Sequence, residues 1–519
     1  MSWTNRRRNA LWIMWTLAMV GGLAPGLAAA GAPAAWTGSG MVPPGATIEM
    51  REPIDSGSID VRILHEIGSE VQGGSSVTVL REEKFGVGLE RVDGYYSRGD
   101  DGDIFLHGVS DHLTGRSRWY EPPLLLVDLP LEVGKQWRSR GHRREGDDSH
   151  GPLTPYDHVS TVTASDTTSL ADGFVEAFLV STEGGGEDVM TNLWYAPGMG
   201  IIARQPAGDA PMQMRTNTSA QGPRGLGWTG RDAHLSFAWP SDSRLRVRKA
   251  FFENVTDPAR ADTTAFSYEL SVEPAGAGRR IRHLLAPSGA DPDTAAHSGA
   301  LQRILALQAP FTVDAAGSFV DLDDAAGVRD SVLAATGALW RQRMTPTEAA
   351  HLDSVLRATF TPEARTASAA AEWKFLAGQW LAIADTTGNM VEFEAMAPLE
   401  LYGGASVRTR GLAATAGFGR CSDETGNSCV AVCMSQWFED PVMPLLVRQW
   451  IDQNSLDPIA AGEPIEAMTL RIDTAAFLDP QTALPLFAVR RKRLTIEAAP
   501  EPYVDESFEY REYTLSDGP

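Results

Sequence analysis

Hydrophobic and polar residues alternate most clearly over Met190–Gln205, on both sides of the tetrapeptide Ala196–Met199. A period of two is typical of a half-buried β-strand. Within the tetrapeptide, Pro197 presets φ for the second turn position, and Gly198 supplies the positive φ that a type II turn needs at the third. The stretch therefore predicts a β-hairpin at the end of a sheet, around which the first domain is organised.

The same alternation continues through most of residues 47–220. It is regular in Ser76–Arg81 and in Phe174–Thr182, and no helical period of useful length occurs. An all-β antiparallel domain is therefore predicted over residues 47–220. Two stretches are expected to lack strands: the Gly-, Ala- and Pro-rich residues 31–46 as a linker, and the polar residues 138–155 as a loop.

A second pattern begins after the Gly-rich stretch Gln221–Arg231. Strands such as Thr264–Val272 have one apolar and one polar face, and the period then becomes helical over about 324–381. A capping box with Pro at the first helical position, Thr345–Glu348, starts one of three successive helices. Residues 226–515 are predicted to form an α+β domain. The fold class is thus mainly β, with antiparallel, half-barrel-like sheets and a helical insertion against the second.

The N-terminus has the three parts of an export signal. The basic residues Arg6–Arg8 precede the apolar run Ala10–Val20, and small residues offer a cleavage site after Ala30. Residues 1–30 are therefore predicted to be a signal peptide, which places the protein in the periplasm or outside the cell. An uncleaved anchor is the alternative, because Ala10–Ala30 is almost long enough to span a bilayer.

Composition narrows the function classes. The 519 residues suggest roughly two to four domains, and a hydrophobic content of 43% is ample for globular cores. The net charge of −22 makes this an acidic protein and argues against nucleic-acid binding, which needs clustered Lys and Arg. No segment after the signal is apolar enough to span a membrane stably.

Three cysteines occur, all within thirteen residues of one another. Cys421 and Cys429 bracket a run of turn-forming residues, and disulfides form readily in exported proteins, so this pair is predicted to staple the base of a hairpin loop. Cys433 is left over, and a buried small hydrophobe is favoured for it over a reactive thiol. The spacing is not usual for zinc, so no metal site is predicted.

One set of motifs resembles a known group of proteins. Tyr120, the pair Pro122 and Pro123, the run Leu129–Trp137 and the run Trp194–Ile202 form an ordered pattern. This pattern resembles uncharacterised exported bacterial β-rich proteins with a Trp-Tyr-Ala-Pro-Gly-x-Gly hairpin. Some of their relatives resemble periplasmic lipoprotein-carrier half-barrels, whose curved sheet holds an acyl chain. The resemblance implies an antiparallel sheet and export, and assigns no activity.

Candidate chemistry is sparse. No G-x-S-x-G, H-E-x-x-H, P-loop or dinucleotide motif is present. His142, His150 and His158 recur among carboxylates, as in some metal sites, but four arginines in the same segment would oppose a cation, so a solvated loop is favoured. Asp157, His158 and Ser160 suggest a hydrolase triad. Neighbours on a strand point to opposite faces, however, which argues against one.

These patterns assign no catalytic, cofactor-binding or metal-binding residue and imply no cofactor. The leading hypothesis is a non-enzymatic envelope binding or scaffold protein, with an apolar or lipid-like ligand between the curved sheet and the helices, or an envelope protein as partner. The alternative is an exported hydrolase with an unrecognised active site, which would gather histidines among His142, His150, His158, His234 and His283 beside carboxylates. A third hypothesis is an interaction module that uses an exposed sheet edge.

Overall fold

In the computed structural model of the protein, the described residues form two antiparallel β-sheets and three helices. It describes residues 39–43, 45–51, 61–72, 74–146, 152–170, 173–184, 192–205, 213–219, 235–253, 262–285, 309–341, 345–359, 361–374, 377, 390–398, 406–418, 429–445, 467–497 and 503–516. The prediction of a mainly β fold with antiparallel sheets and few helices is confirmed.

The first sheet is a barrel of twelve strands. In chain order, β1 to β12 are Thr47–Arg51, Val61–Gln72, Ser75–Phe85, Glu90–Arg98, Ile104–Asp111, Arg116–Val127, Gln136–Glu145, Leu153–Leu170, Gly173–Glu183, Asn192–Ala196, Gly200–Gln205 and Gln213–Ser219. Each strand pairs with its sequence neighbours, and β1 pairs with both β2 and β12. The sheet therefore closes completely, beyond the half-barrel that was expected.

The turn between β10 and β11 is the one that the alternation predicts. Met199 N donates to Ala196 O at 3.0 Å, and φ of Gly198 is +81°, as a type II turn requires. The hairpin does not end the sheet. The next strand, β12, pairs with β1 and places Ser219 opposite Thr47, so it is β12 that closes the barrel.

Most of residues 138–155, predicted as a loop, belong to β7 and β8, so that prediction is wrong. The two strands pair with each other, with Arg138 opposite Val159. Their outward positions carry long polar side chains. Inward positions include the small residues Ser139 and Gly141, so the two faces differ little in hydrophobicity and the alternation is hidden.

The second sheet is open and has eleven strands in the order β17-β16-β15-β14-β13-β23-β22-β21-β20-β19-β18. These strands, β13 to β23 in chain order, are Ser243–Glu253, Asp262–Ala275, Gly278–Leu285, Phe311–Val313, Phe319–Leu322, Val391–Pro398, Ser406–Phe418, Cys429–Phe438, Ala467–Leu478, Pro485–Glu497 and Tyr503–Ser516. The N-terminal and C-terminal strands of this region, β13 and β23, pair at its centre.

Among the described residues between β17 and β18, three helices lie where the helical period predicts an insertion. They are α1 (Ala325–Arg341), α2 (Pro346–Thr359) and α3 (Pro362–Trp373). The second and third begin at the two prolines that mark the first helical position in the sequence. Within the described residues, no helix has the length and apolar character needed to cross a membrane.

The helices and one face of the second sheet share an apolar core. Trp373 at the end of α3 and Trp239 before β13 are both 0% exposed, with ring centroids 5.2 Å apart. Trp373 Nε1 also donates to Gly317 O at 2.7 Å. The helices therefore cover this face, and the described side chains between helix and sheet are packed together.

The two ends of the barrel have different surroundings. Because neighbouring strands are antiparallel, successive turns alternate between the ends. The turns after β4 and β10 lie at one end, termed the hairpin end. The turns after β3 and β5 lie at the other, termed the sheet end, where Leu89 and Leu113 share an apolar cluster with Leu412 of the second sheet. Both sheets belong to one compact unit, Gly38–Pro519.

Candidate functional site

The interior of the barrel is lined by one apolar cluster to which eleven of the twelve strands contribute. A cluster drawn from nearly every strand of a closed barrel lies on its inner face, so these side chains define the lumen. Each is at most 8% exposed, which means that the lumen is filled. Representative members are Ile48, Leu64, Ile104, Tyr120, Trp137 and Val180.

A short piece of chain before β1 fills part of the lumen. This segment, Ser39–Val42, is termed the plug, and its residues Ser39, Met41 and Val42 are all 0% exposed. An eight-stranded barrel is already wide enough for its own side chains to fill, and twelve strands enclose more space. The plug supplies two apolar side chains, Met41 and Val42, to the lumen cluster.

The barrel wall holds the plug by hydrogen bonds near the hairpin end. The Tyr195 hydroxyl donates to Gly40 O at 3.0 Å, and Ile201 N donates to Met41 O at 2.9 Å. Ser39 donates to Glu66 Oε1 from both its backbone nitrogen and its hydroxyl, each at 2.7 Å. Two of these bonds end on backbone carbonyls, so they recognise a carbonyl oxygen rather than a particular side chain.

Gly200 of the hairpin makes this approach of the plug sterically possible. Its φ is +79°, and a Cβ at this position would lie 2.2 Å from Met41 O. Gly198, two residues earlier, has φ +81°, but a Cβ there would meet nothing within 4 Å. The two glycines therefore serve different purposes: Gly198 forms the turn, whereas Gly200 also leaves room for the plug.

A buried ion network occupies the lumen at the sheet end. Glu82 accepts from Arg204 Nη1 at 2.8 Å and from Arg62 Nη1 at 2.6 Å, and Arg204 Nε donates to Gln213 at 2.9 Å. Burial raises the pKa of Glu82, but Arg204 and Arg62 outweigh burial and lower that pKa to about 2. The carboxylate is therefore ionised at neutral pH, and the lumen changes from apolar to charged towards the sheet end.

The turn after β3 fastens the sheet end to the second sheet. Leu89 N donates to Ser435 Oγ at 2.6 Å, and Ser435 Oγ donates to Asp473 Oδ1 at 2.5 Å. Arg471 Nε donates to both oxygens of Asp473, at 2.9 and 3.0 Å, and Arg471 Nη2 donates to Leu89 O at 3.4 Å. The second sheet therefore covers the sheet end with a hydrogen-bonded contact.

A second group of ions joins the outer face of the barrel to the edge strand β18. Asp93 accepts from Arg81 at 2.7 and 2.8 Å and contacts His112 Nε2 at 2.9 Å. His112 Nδ1 lies 3.0 Å from Glu392 Oε1, and Arg91 Nη1 donates to the same oxygen at 2.7 Å. The hydrogen bond to Asp93 raises the pKa of His112 despite burial, and Glu392 raises it further.

A third buried polar group fastens helix α3 to the second sheet. Arg511 is 0% exposed and donates to Glu372 of α3 at 2.5 and 3.0 Å and to Glu509 at 2.7 Å. Lys249 Nζ lies 2.7 Å from Glu509. Nearby, His283 has no hydrogen-bond partner at either ring nitrogen within the described part of the chain, and burial lowers its pKa to about 4. Its imidazole is therefore neutral at pH 7.

Comparisons with known proteins add no relationship from which to infer function. No protein-family model and no curated protein matches the chain. One match among solved structures is the crystal structure of Pseudomonas aeruginosa OpdO, at 8% sequence identity over 91% of this chain and 96% of that chain, with a TM-score of 0.10.

The histidines named as a hydrolase cluster are not brought together where the structure describes them. His142 is exposed on β7, His158 is buried on β8, and His283 is buried in the second sheet. His150 and His234 lie outside the described residues. Across the described ranges, no three His, Cys, Asp or Glu residues come close enough to hold a metal ion.

The expectation that Asp157 and His158 point to opposite faces is confirmed. Asp157 is exposed and pairs with Arg138 and Arg140, and the hydrogen bond from Arg138 holds the pKa of Asp157 near 2. His158 and Ser160 are buried on the inner face, at 3% and 4% exposure. These residues therefore do not form a triad.

Of the three cysteines, two are described. Cys429 begins β20 and is 2% exposed, and Cys433 on the same strand is 5% exposed, in keeping with a small buried hydrophobe. Cys421 lies outside the described residues, so its disulfide with Cys429 stays a prediction.

The plug is the element that sequence reasoning missed. Residues 39–42 fall within the stretch predicted as a linker, because Gly and Pro dominate it. The only local signal is the apolar pair Met41 and Val42 between a glycine and two prolines. The partner of the plug, Trp194–Ile202, was recognised as a hairpin, but its second role through Gly200 has no mark in the sequence alone.

Proposed function

We propose that the protein is an exported, non-enzymatic binding protein that holds an apolar ligand in the barrel lumen, at the place taken by the plug. The observation that carries this proposal is the plug itself. Ser39–Val42 has no regular secondary structure, and yet it is held inside a closed barrel by apolar burial and by two hydrogen bonds to its backbone carbonyls.

Such a holding site does not require its occupant to be part of the chain. Tyr195 and Ile201 present a hydroxyl and a backbone N–H to a carbonyl oxygen, and the surrounding wall contributes apolar side chains. An apolar molecule with a carbonyl group satisfies the same donors. A pocket of this kind, mostly apolar with a few placed polar groups, is typical of sites for small apolar ligands.

The barrel lumen suits a ligand better than the space beneath the helices, where the sequence suggested one. Between helix and second sheet, the described side chains form a packed core around Trp239 and Trp373. The plug differs from this packed core, because a four-residue segment can leave the lumen without unfolding a strand.

Titration of the purified full chain with N-phenyl-1-naphthylamine tests the proposal, since this dye fluoresces strongly only in apolar surroundings. We expect saturable binding with one site per chain. Native mass spectrometry of protein extracted under mild conditions should also find a co-purifying apolar molecule. Absence of saturable dye binding, together with absence of a bound molecule, would refute the binding function.

Export is tested separately by identifying the first residue of the protein recovered from the periplasm or the medium. Cleavage after Ala30 predicts that the mature chain begins at Gly31. Recovery of the chain only in the cytoplasm, with Met1 or Ser2 still present, would contradict the proposed location.

A further inference from the structure

Between β6 and β7, the strand ladder of the barrel wall is short relative to the length of the two strands. Strands β6 and β7 are twelve and ten residues long, yet they pair only from Arg118–Glu121 to His142–Glu145. The pairing stops where β6 reaches Pro122 and Pro123, which have no N–H to donate to a neighbouring strand. The unpaired stretch beyond this point, towards the hairpin end, is termed the seam.

Side chains close the seam in place of the ladder. Trp137 Nε1 donates to Leu125 O at 3.1 Å, and Ser139 Oγ donates to the same carbonyl at 3.3 Å. The Tyr156 hydroxyl donates to Pro122 O at 2.5 Å. These bonds break by rotation of a side chain, whereas opening a regular ladder requires two backbones to separate.

Close packing at the paired end of the seam fixes where it begins. A Cβ on Gly141 would lie 2.4 Å from Glu121 O and 2.7 Å from Pro122 Cδ. Only glycine therefore lets β7 approach β6 this closely just before the ladder stops.

Tyr120 lies on the inner face beside this point. The residue is 6% exposed, its ring meets that of Tyr156 edge to face at 5.4 Å, and its hydroxyl has no hydrogen-bond partner within the described part of the chain. A buried hydroxyl without a partner is energetically unfavourable, so such groups usually serve water or a ligand.

The lumen also changes character at Tyr120. On the same inner face, Arg118 Nε lies 3.1 Å from both carboxylate oxygens of Glu145 towards the sheet end. Towards the hairpin end, Leu124 and Val127 belong to the apolar cluster. Tyr120 therefore marks the border between the polar and apolar parts of the lumen along β6.

We propose that the ligand is a single-chain amphiphile that enters through the seam and whose head group accepts a hydrogen bond from Tyr120. The proposal rests on the binding function proposed above. The apolar chain then extends along β6 towards the hairpin end, where it displaces the plug. The head group is a hydrogen-bond acceptor such as a carboxylate or an ester carbonyl, because the phenol is available as a donor.

Replacing Tyr120 by Phe distinguishes binding of the ligand's head group from binding of its apolar chain. With cis-parinaric acid, a linear fluorescent fatty acid, we expect Tyr120→Phe to weaken binding about ten-fold, as loss of a hydrogen bond to a charged group implies. Binding of N-phenyl-1-naphthylamine, which has no carboxylate, should stay within two-fold. Tyr513→Phe, which alters an equally buried tyrosine of the second sheet, should change neither affinity.

The outcomes distinguish this inference from the binding function. If neither probe binds the wild-type chain, the binding function itself fails. If both probes bind and Tyr120→Phe leaves the affinity for cis-parinaric acid unchanged, the function stands and the assignment of Tyr120 is wrong, its hydroxyl serving a water molecule only. The thermal midpoint of Tyr120→Phe should not fall, because the hydroxyl that it removes makes no hydrogen bond in the described structure.

Entry through the seam has its own readout. Trp137→Phe removes the donor to Leu125 O, and we expect cis-parinaric acid to associate several-fold faster in stopped-flow mixing, since one closing hydrogen bond is worth about 1 kcal/mol. Trp239→Phe is the matched control, because Trp239 also donates from Nε1 to a backbone carbonyl, at 3.3 Å, but in the core beneath the second sheet. Equal association rates in wild type and Trp137→Phe would overturn entry through the seam.

Discussion

Two glycines of one hairpin allow the plug to be displaced with an internal control. Gly200→Ala places a methyl group where Met41 O lies 2.2 Å away, whereas Gly198→Ala places one in open space. Both glycines have positive φ, at +79° and +81°, so both variants carry the same backbone strain of about 1–2 kcal/mol. Any difference between the two variants therefore reports on the plug.

The plug is held by interactions that nearly balance the cost of ordering it. Burial of Met41 and Val42 contributes about 3–6 kcal/mol, and the four hydrogen bonds to the plug contribute about 1 kcal/mol each. Ordering four residues and the Met41 side chain costs about 6–10 kcal/mol. The balance lies within a few kcal/mol of zero, so the clash in Gly200→Ala is sufficient to expel the plug.

Hydrogen exchange and dye binding together measure the result. In Gly200→Ala, we expect the amide of Ile201, which donates to Met41 O, to exchange at least ten-fold faster than in Gly198→Ala. The affinity for N-phenyl-1-naphthylamine should rise several-fold in Gly200→Ala alone, because the lumen is vacated. Equal exchange and equal affinity in the two variants would refute the idea that the plug occupies the ligand's place.

Three further predictions concern pH and covalent structure. Urea unfolding at pH 7 should show that Glu82→Gln lowers the free energy of unfolding by about 3 kcal/mol. Because the pKa of Glu82 in the folded protein is lowered from 4.5 to about 2, this difference from wild type should disappear as the pH falls through that range. The pKa of His112 is raised, so the contribution of His112 to stability is complete below pH 6.5 and is lost as the pH rises through the folded pKa. In wild type the urea midpoint should therefore fall between pH 6 and 9, and His112→Gln should make this fall shallower. An unchanged dependence of the urea midpoint on pH would contradict the prediction. If Cys421 and Cys429 are bonded, an alkylating reagent should modify one cysteine in unfolded, unreduced protein and three cysteines after reduction. Modification of three cysteines in both samples would exclude the disulfide.

Local features of this fold were readable from the sequence where the chemical contrast between positions was strong. The turn at Pro197 and Gly198 and the helix starts at Pro346 and Pro362 follow from backbone preferences that tertiary contacts did not override. The strand β7 was missed because Ser139 and Gly141, among its inward residues, are not apolar, and no pattern of period two stands out.

Closure of the barrel was not readable for a different reason. It depends on β1 pairing with β12, about 170 residues later, and a single sequence contains no record of which distant strands pair. The plug was missed for the same reason, since its partners Tyr195 and Ile201 lie far along the chain. The hydroxyl of Tyr120 had no sequence signal either, because an unused hydrogen-bond donor is defined only by its surroundings.

The energies of the two barrel ends argue for separate roles. At the sheet end, Glu82 alone accounts for about 3 kcal/mol through its arginine partners, and the contact between Leu89, Ser435 and Asp473 fastens that end to the second sheet. At the hairpin end, the plug is balanced to within a few kcal/mol. Under the proposed function, a ligand would exchange with the plug without breaking the ion network or separating the two sheets. In that proposal, the second sheet and its helices are a fixed base that keeps one end of the barrel closed, and the free energy of ligand binding has to displace the plug alone.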